Sequence, residues 1–401
     1  MLYIAPYSAF HGGHPMQNFT FNNPTKIVFG KRSISELAKL VHPDEKVLMT
    51  YGGGSIKTNG VYDQVKNALK GHRVIEFVGV EPNPEYETCM QAVKEAREEK
   101  VDFLLSIGGG SVLDATKFIA AAIPYEGEDP WDIISKGTEG RLRLAVPLGC
   151  VLTLPATGSE ANGNAVISRK ALGQKLAFSS RHVYPRFSIL DPETTYSLPE
   201  RQVINGIVDA YMHVIEQYMT YDVNAPLQDR LAESILLTII EEGPKVRKDP
   251  YNYEARANIM WCATMALNGV IACGVVEDWA THLIGHELTA LHGLDHAQTL
   301  AILLPAVWKH QRVQKAEKLL NYARRIWGIE SDDSETAIDE AIDKTVGFFN
   351  SVGMPTRLSD YDLTPAECMK VAEQLHRRGV KLGEHKNIGK KEVEEILLLC
   401  A

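Results

Sequence analysis

The chain has 401 residues, 45% hydrophobic and 23% charged, with a formal net charge of −9. This is the composition of an ordinary globular protein, long enough for two domains. The acidic balance argues against a nucleic-acid partner, which would want a basic face, and no run of about eighteen uninterrupted apolar residues suggests a membrane span.

The first fifteen residues, rich in small, aromatic and turn types, carry no basic residues ahead of an apolar core and so do not read as a secretory signal. Residues 1–15 are expected to be an extension outside the fold, which would begin at Met16. From Thr25 to about Leu190, short β-rich runs alternate with helical patterns. Residues 46–50 form a compact apolar run ending at Gly52-Gly53-Gly54, and residues 103–107 form another ending at Gly108-Gly109-Gly110. Residues 86–100 between them show helical spacing after the turn signal Glu81-Pro82-Asn83-Pro84. Glycine-bounded strands alternating with helices predict βαβ units and a parallel sheet buried on both faces. From about Pro199 onward the pattern changes: residues 226–242, 255–268 and 335–350 have helical periodicity with few strand-like runs. Pro226 suits the first turn of its helix. The expected division is therefore an α/β dinucleotide-binding domain at 16–198 followed by an all-α domain at 199–401. The cysteines (Cys89, Cys150, Cys262, Cys273, Cys368, Cys400) form no CxxC pair, which predicts reduced thiols and a cytoplasmic location.

Two glycine loops follow predicted strands. In Gly108-Gly109-Gly110-Ser111-Val-Leu-Asp114 the glycines would let backbone amides approach a pyrophosphate, with the next helix pointing its N-terminus at the anion and Ser111 capping it. A sharp strand-to-helix turn would also choose glycine. The earlier loop, Gly52-Gly53-Gly54-Ser55-Ile-Lys57, contains no Asp or Glu to bind ribose hydroxyls. Gly52, Gly53 and Ser55 leave room for a 2′-phosphate and Lys57 adds charge, which favours NADP over NAD. The stretch Thr153-Leu-Pro-Ala-Thr157-Gly-Ser-Glu-Ala-Asn162 could line a cofactor cleft or satisfy its own turn.

The helical half carries the densest chemistry. Asp209 and His213, four apart, project onto one helix face, and His282, His286, His292 and His296 cluster downstream. One carboxylate with several imidazoles suits a divalent metal such as zinc or iron(II), although packed or surface histidines would read the same way. The one Tyr-x3-Lys pair, Tyr62 and Lys66, follows the first glycine loop, away from where a metal-free reductase would need its acid.

The order GGGS-x2-D, PATGSE, D-x3-H and the His-rich helix resembles the iron-containing alcohol dehydrogenase family, in its branch of NADPH-dependent aldehyde reductases and butanol dehydrogenases. The match runs from about Met16 to the C-terminus and is tightest over 103–120, 150–160 and 278–305. The resemblance implies a metal in a cleft between the two domains, held by Asp209, His213, His282 and His296, with Fe(II) and Zn(II) both compatible. It makes His286 a neighbouring or proton-relay residue and gives His292 no metal role. It places the pyrophosphate at Gly109, Gly110, Ser111 and Asp114, sets Thr153, Thr157, Asn162 and Lys175 along the cofactor, and puts Asn83 near the adenosine. The implied activity is reversible reduction of small aldehydes to primary alcohols with NADPH, in a homodimer. A dehydroquinate synthase-like lyase or a polyol-phosphate dehydrogenase on the same fold would need a basic pocket. The apolar neighbours expected near the ligands are Trp279, Trp261 and Met260. A non-catalytic dinucleotide- and metal-binding protein is the third reading.

Overall fold

The structure is a computed structural model that describes residues 14–401. Its strands are β1 (Lys26–Phe29), β2 (Lys46–Tyr51), β3 (Arg73–Val78), β4 (Phe103–Gly109), β5 (Leu148–Leu154), β6 (Asn164–Arg169), β7 (Gln174–Ser179) and β8 (Phe187–Leu190). Six of them form one sheet in the order β1-β8-β5-β4-β2-β3, with every pairing parallel. The other two, β6 and β7, form an antiparallel hairpin.

Strand alternation explains why both faces of the sheet are buried. Val47, Met49, Phe103, Leu105 and Ile107 pack with Val61 and Val65 of the helix Val61–Ala68. The residues of opposite parity, such as Leu48, Leu104 and Leu148, pack with Leu113 and Phe118 of the helix Gly110–Ala122 and with Val93 of the helix Tyr86–Glu98. Because β2 pairs with β4, the glycine loops that follow them lie side by side at the carboxyl end of the sheet. Open α/β sheets bind ligands at such an edge, where the strand order reverses.

After β8, the described residues contain helices and turns but no further strand of either sheet. The helix Glu200–Tyr218 is buried along most of its length and packs against Pro226–Lys248 and Tyr253–Ala266. The helices Ala280–His292 and His296–His310 follow, joined by a short turn at Gly293 with φ 71°, a conformation that suits glycine. The predicted helices run longer than expected at Pro226–Lys248 and Ser334–Val352, and Pro226 does occupy the first turn of its helix. An α/β half followed by a helical half is what the periodicities predict.

Two expectations change. Residues 1–13 of the expected extension lie outside the described residues, but His14 packs its ring 5.0 Å from Tyr221. The chain is therefore anchored before Met16, and the Gln17 amide donates to the Gly274 carbonyl at 2.9 Å. The second change is at the glycine loop: the helix Gly110–Ala122 has Gly109 at its N-cap and no side-chain cap, so Ser111 lies inside the first turn. All six cysteines are buried and unpaired, and among the described residues no helix is long and apolar enough to cross a membrane.

Gly206 fixes how closely the helix Glu200–Tyr218 approaches the sheet. A Cβ there would fall well inside contact distance of the Pro155 carbonyl oxygen, which is backbone and cannot swing away. Alanine normally gains about 1 kcal/mol over glycine in a helix, so the sign of Gly206→Ala separates the two effects. The expected outcome is a net loss of about 1–3 kcal/mol of stability in urea unfolding; a gain would mean the two elements are not in tight contact.

Candidate active site

A cleft of about 1100 Å³ runs between the carboxyl end of the sheet and the helical half. At its helical end Asp209 projects from the Glu200–Tyr218 helix with its Oδ1 3.9 Å from His213 Nε2, 3.9 Å from His282 Nε2 and 3.8 Å from His296 Nε2. Candidate ligand atoms of Asp209, His282 and His296 all lie within 4.8 Å of one another. The His213 ring stacks on that of His282, centroids 4.9 Å apart at 27°. Ligands held about 2.1 Å from one ion sit roughly 3–4 Å apart, so Asp209, His282 and His296 suit a single ion, while His213 reaches Asp209 but lies outside that mutually close group. Asp209 Oδ1 and His282 Nε2 are buried without a hydrogen-bond partner. Unbonded buried polar atoms are costly, and one carboxylate with imidazoles is a donor set that Zn(II) and Fe(II) both accept. Burial pushes the His282 imidazole down to about 4, against the pull of Asp209, and lowers His213 and His296 as well. Neutral imidazole is the form that ligates metal.

His286, one turn along from His282, lies 4.9 Å from the His296 ring and 6.3 Å from that of His282. It lines the cleft, and burial holds it well below its usual range. His292 is outside both the lining and the ligand group.

The orienting group that spacing alone did not single out is Glu216. It lies on the same helix face as Asp209 and His213, three residues past His213, so the 3.6-residue period could have found it. Its Oε1 accepts from the backbone amides of Thr281 (2.8 Å) and His282 (3.2 Å), while its Oε2 bonds His282 Nδ1. That contact turns His282 Nε2 toward Asp209, as a carboxylate behind a metal-binding imidazole does.

At the sheet end, Gly52, Gly53, Asn83, Gly109, Gly110, Ser111, Asp114, Thr157, Asn162 and Lys175 line the same cleft. The glycines are sterically required: a Cβ on Gly110 would come 2.6 Å from Thr157 Oγ1, and one on Gly109 would come 3.0 Å from Leu154 Cβ. The amides of the uncapped helix start are left for an anion. Asp114 is not free to meet one. Its Oδ1 accepts from Ser159 Oγ at 2.8 Å and its Oδ2 from the Val166 amide at 2.9 Å. Lys117, also missed from spacing, lies wholly buried beneath this loop. It donates to Ser159 O and Oγ, Asn162 Oδ1 and Asn164 O, and burial lowers it to about 8. Lys175 donates to Asn83 Oδ1 at 2.7 Å, tying together two residues expected along the cofactor.

Several expected placements do not hold. Thr153 is buried on β5 and Ser55 is exposed at the start of a short helix, and neither lines the cleft. Lys57 turns its ammonium over the Tyr51 and Tyr62 rings, 5.3 and 5.1 Å from their centroids. The acid-poor loop also acquires an acid from elsewhere, because β2 pairs with β3 and so brings Glu81 to the wall beside Gly52 and Gly53. Trp261 is exposed against Phe29, and Met260 belongs to the core beneath the sheet, so only Trp279 of the three expected neighbours reaches the imidazoles. Leu267, Ala272 and Leu283 complete that apolar wall. Tyr62 and Lys66 both bond Glu76, at 2.7 and 3.0 Å, outside the cleft. Among the described residues Lys175 is the one Lys or Arg on the wall, so the basic pocket that a lyase or polyol-phosphate dehydrogenase would need is not there.

Residues 24–192 match the iron-containing alcohol dehydrogenase family, and residues 203–399 match the C-terminal domain of the same family. The chain belongs to the iron-containing alcohol dehydrogenase family. It is 57% identical over 375 residues to the NADPH-dependent aldehyde reductase YqhD of Escherichia coli, covering 93% of this chain and 97% of that one. It is 43% identical over 388 residues to the probable NADH-dependent butanol dehydrogenase 1 of Bacillus subtilis, covering 95% and 99%. Among solved structures, the substrate- and cofactor-free aldehyde reductase YqhD from E. coli superposes with a TM-score of 0.92 at 54% identity, covering 96% of this chain and 100% of that one. NADH-dependent butanol dehydrogenase A from Thermotoga maritima gives a TM-score of 0.91 at 38% identity, covering 97% and 100%.

For a member of this family the Glu216–His282 contact yields a direct expectation. Glu216→Gln keeps an oxygen for the two backbone amides but replaces the carboxyl oxygen behind the imidazole with an amide nitrogen. Metal affinity, measured by competition with a chelator, should fall about 10–100-fold while the melting temperature changes little. Unchanged affinity would rule out an orienting role.

Proposed function

We propose that this chain is a metal-dependent oxidoreductase that reversibly reduces small uncharged aldehydes to primary alcohols with NADPH. We propose further that it works in the cytoplasm as a homodimer, with a dinucleotide-binding domain at 16–198 and a metal-binding domain at 199–401. The observation that carries the reading is the cluster of Asp209 and imidazoles opening onto the same cleft as the uncapped glycine-loop helix.

When bound, a divalent metal supplies Lewis-acid polarisation of a carbonyl, and the nicotinamide supplies hydride. The proposed ligands are Asp209, His213, His282 and His296, with Glu216 holding the His282 ring in place. Gly109, Gly110 and Ser111 offer backbone amides to the pyrophosphate, while Asp114 and Lys117 clamp the loop that carries Thr157 and Asn162. Trp279, Leu267 and Leu283 keep water from the reacting centre. His286, held neutral by burial, can accept a proton at one ring nitrogen and release one from the other toward the alkoxide oxygen. The exposed aromatics Phe29, on the open edge strand β1, and Trp261, whose ring meets it, support a second copy as partner.

The NADPH preference rests on Gly52 and Gly53, which add no side chain to their part of the wall; a Cβ on Gly53 meets nothing within 4 Å. Glu81 opposes it, but its Oε1 is engaged by Thr88 Oγ1 at 2.6 Å. Turnover of butanal should show a higher kcat/KM for NADPH than for NADH. In Gly53→Asp that ratio should fall at least about tenfold, since a carboxylate near the 2′-phosphate costs roughly 1–4 kcal/mol at this range. Equal use of both cofactors by the unaltered protein refutes the preference, and no aldehyde reduction with either refutes the function.

A further inference from the structure

Most carboxylates on the cleft wall are already engaged. Asp114 is bonded to Ser159 and Val166, Glu81 to Thr88, and Asp295 to Asn205 and Arg201, while Asp209 faces the imidazoles. Glu277 is different. It lines the cleft together with Leu267, Gly269, Ala272 and Trp279, keeping part of its surface open to solvent although enough of it is buried to raise its carboxyl. Among the described residues no Lys or Arg is close enough to contribute to its electrostatics. The group that does act on it is the Trp279 indole. That same indole stands edge-on to His282, centroids 5.2 Å apart at 80°, and 6.2 Å from His213. The single base among the described residues of the wall, Lys175, donates to Asn83 and its charge acts on His286, His296 and Asp209, not on Glu277. Glu277 is therefore the acid of the wall that has an indole partner and no cation acting on it.

We propose that Glu277 is a specificity-determining residue that selects against aldehydes carrying a carboxylate, phosphate or sulfonate on their chain and favours neutral or cationic ones. The proposal rests on the aldehyde-reductase reading above and names the substrate class within it. A negative tail running along the 267–279 wall would meet apolar side chains and an acid with no cation acting on it. An unpaired like charge facing an incoming group is a repulsive element, and such elements separate substrates that attractive contacts alone would accept together. The same acid gives a cationic tail a partner.

The test compares kcat/KM ratios within each variant, so a general loss of activity cancels. Burial raises the Glu277 carboxyl, so the ratios are taken across a pH series and the contrast between wild type and Glu277→Gln should grow as pH rises. Two pairs of substrates differ mainly in charge: 4-oxobutanoate against butanal, and betaine aldehyde against 3,3-dimethylbutanal. In Glu277→Gln the first ratio should rise about tenfold and the second should fall about tenfold, mostly through KM; tenfold corresponds to about 1.4 kcal/mol. Glu277→Asp, which keeps the charge, should keep the wild-type ratios. Calorimetric binding of 4-hydroxybutanoate to the metal- and NADP-loaded protein should tighten in Glu277→Gln in the same proportion. Ratios and binding that move less than twofold in both Glu277→Gln and Glu277→Ala overturn the proposal. Wild-type protein that turns over butanal while those ratios stay flat overturns only the role of Glu277; wild-type protein that reduces no aldehyde overturns the reading on which it stands.

Discussion

The arrangement depends on one buried carboxylate oxygen. Asp209 Oδ1 is buried, accepts no hydrogen bond and is faced by three imidazole nitrogens within 4 Å. In a protein interior such an anion is tolerable only beside compensating charge, and burial keeps these imidazoles neutral. A divalent cation resolves both conditions at once. The neighbouring groups serve that centre: Glu216 turns one imidazole inward, Trp279 closes over two of them, and the turn at Gly293 returns the chain so that His296 meets His282.

A centre built from the helical half is useful only if the sheet half presents its ligand in register, and buried polar contacts hold that register. Thr264 Oγ1 donates to Glu160 at 2.5 Å, and Asn162 Nδ2 donates to the Leu267 carbonyl at 3.1 Å. Asn23, on the segment leading into β1, donates to Ala161 and to Asn268 and so ties the two halves from outside. Lys117 organises the loop between them: a wholly buried ammonium with four acceptors fixes Ser159, Asn162 and Asn164 together. A lysine lowered toward neutrality by burial is retained at a cost in stability, which is reasonable if the loop it fixes must meet a cofactor.

Much of this was legible because it depends on local spacing. Strands bounded by triple glycines, the helical period after Pro199 and the Asp209/His213 pair all follow from short-range geometry, and all appear where the sequence places them. What could not be read depends on which elements become neighbours. Glu81 reaches the first glycine loop only because Tyr51 pairs with Val78 across two parallel strands. Trp261 and Met260 are both expected beside the ligands, yet Trp261 faces outward on its helix while Met260 turns into the core. Thr153 opens a plausible cofactor motif, but it lies on β5, which is buried on both faces there. Glu216 had a detectable signal in helical periodicity, though nothing in that signal says which partner lies opposite.

The central claim is that Asp209, His213, His282 and His296 hold one catalytic metal. X-ray absorption on protein reloaded with Zn(II) tests it most directly, alongside metal content per chain for the wild type and for His282→Ala and His292→Ala. The account predicts one ion per chain in a nitrogen and oxygen shell with imidazole scattering, lost in His282→Ala and retained in His292→Ala. A sulfur shell, or an ion retained in His282→Ala with its spectrum unchanged, would contradict it.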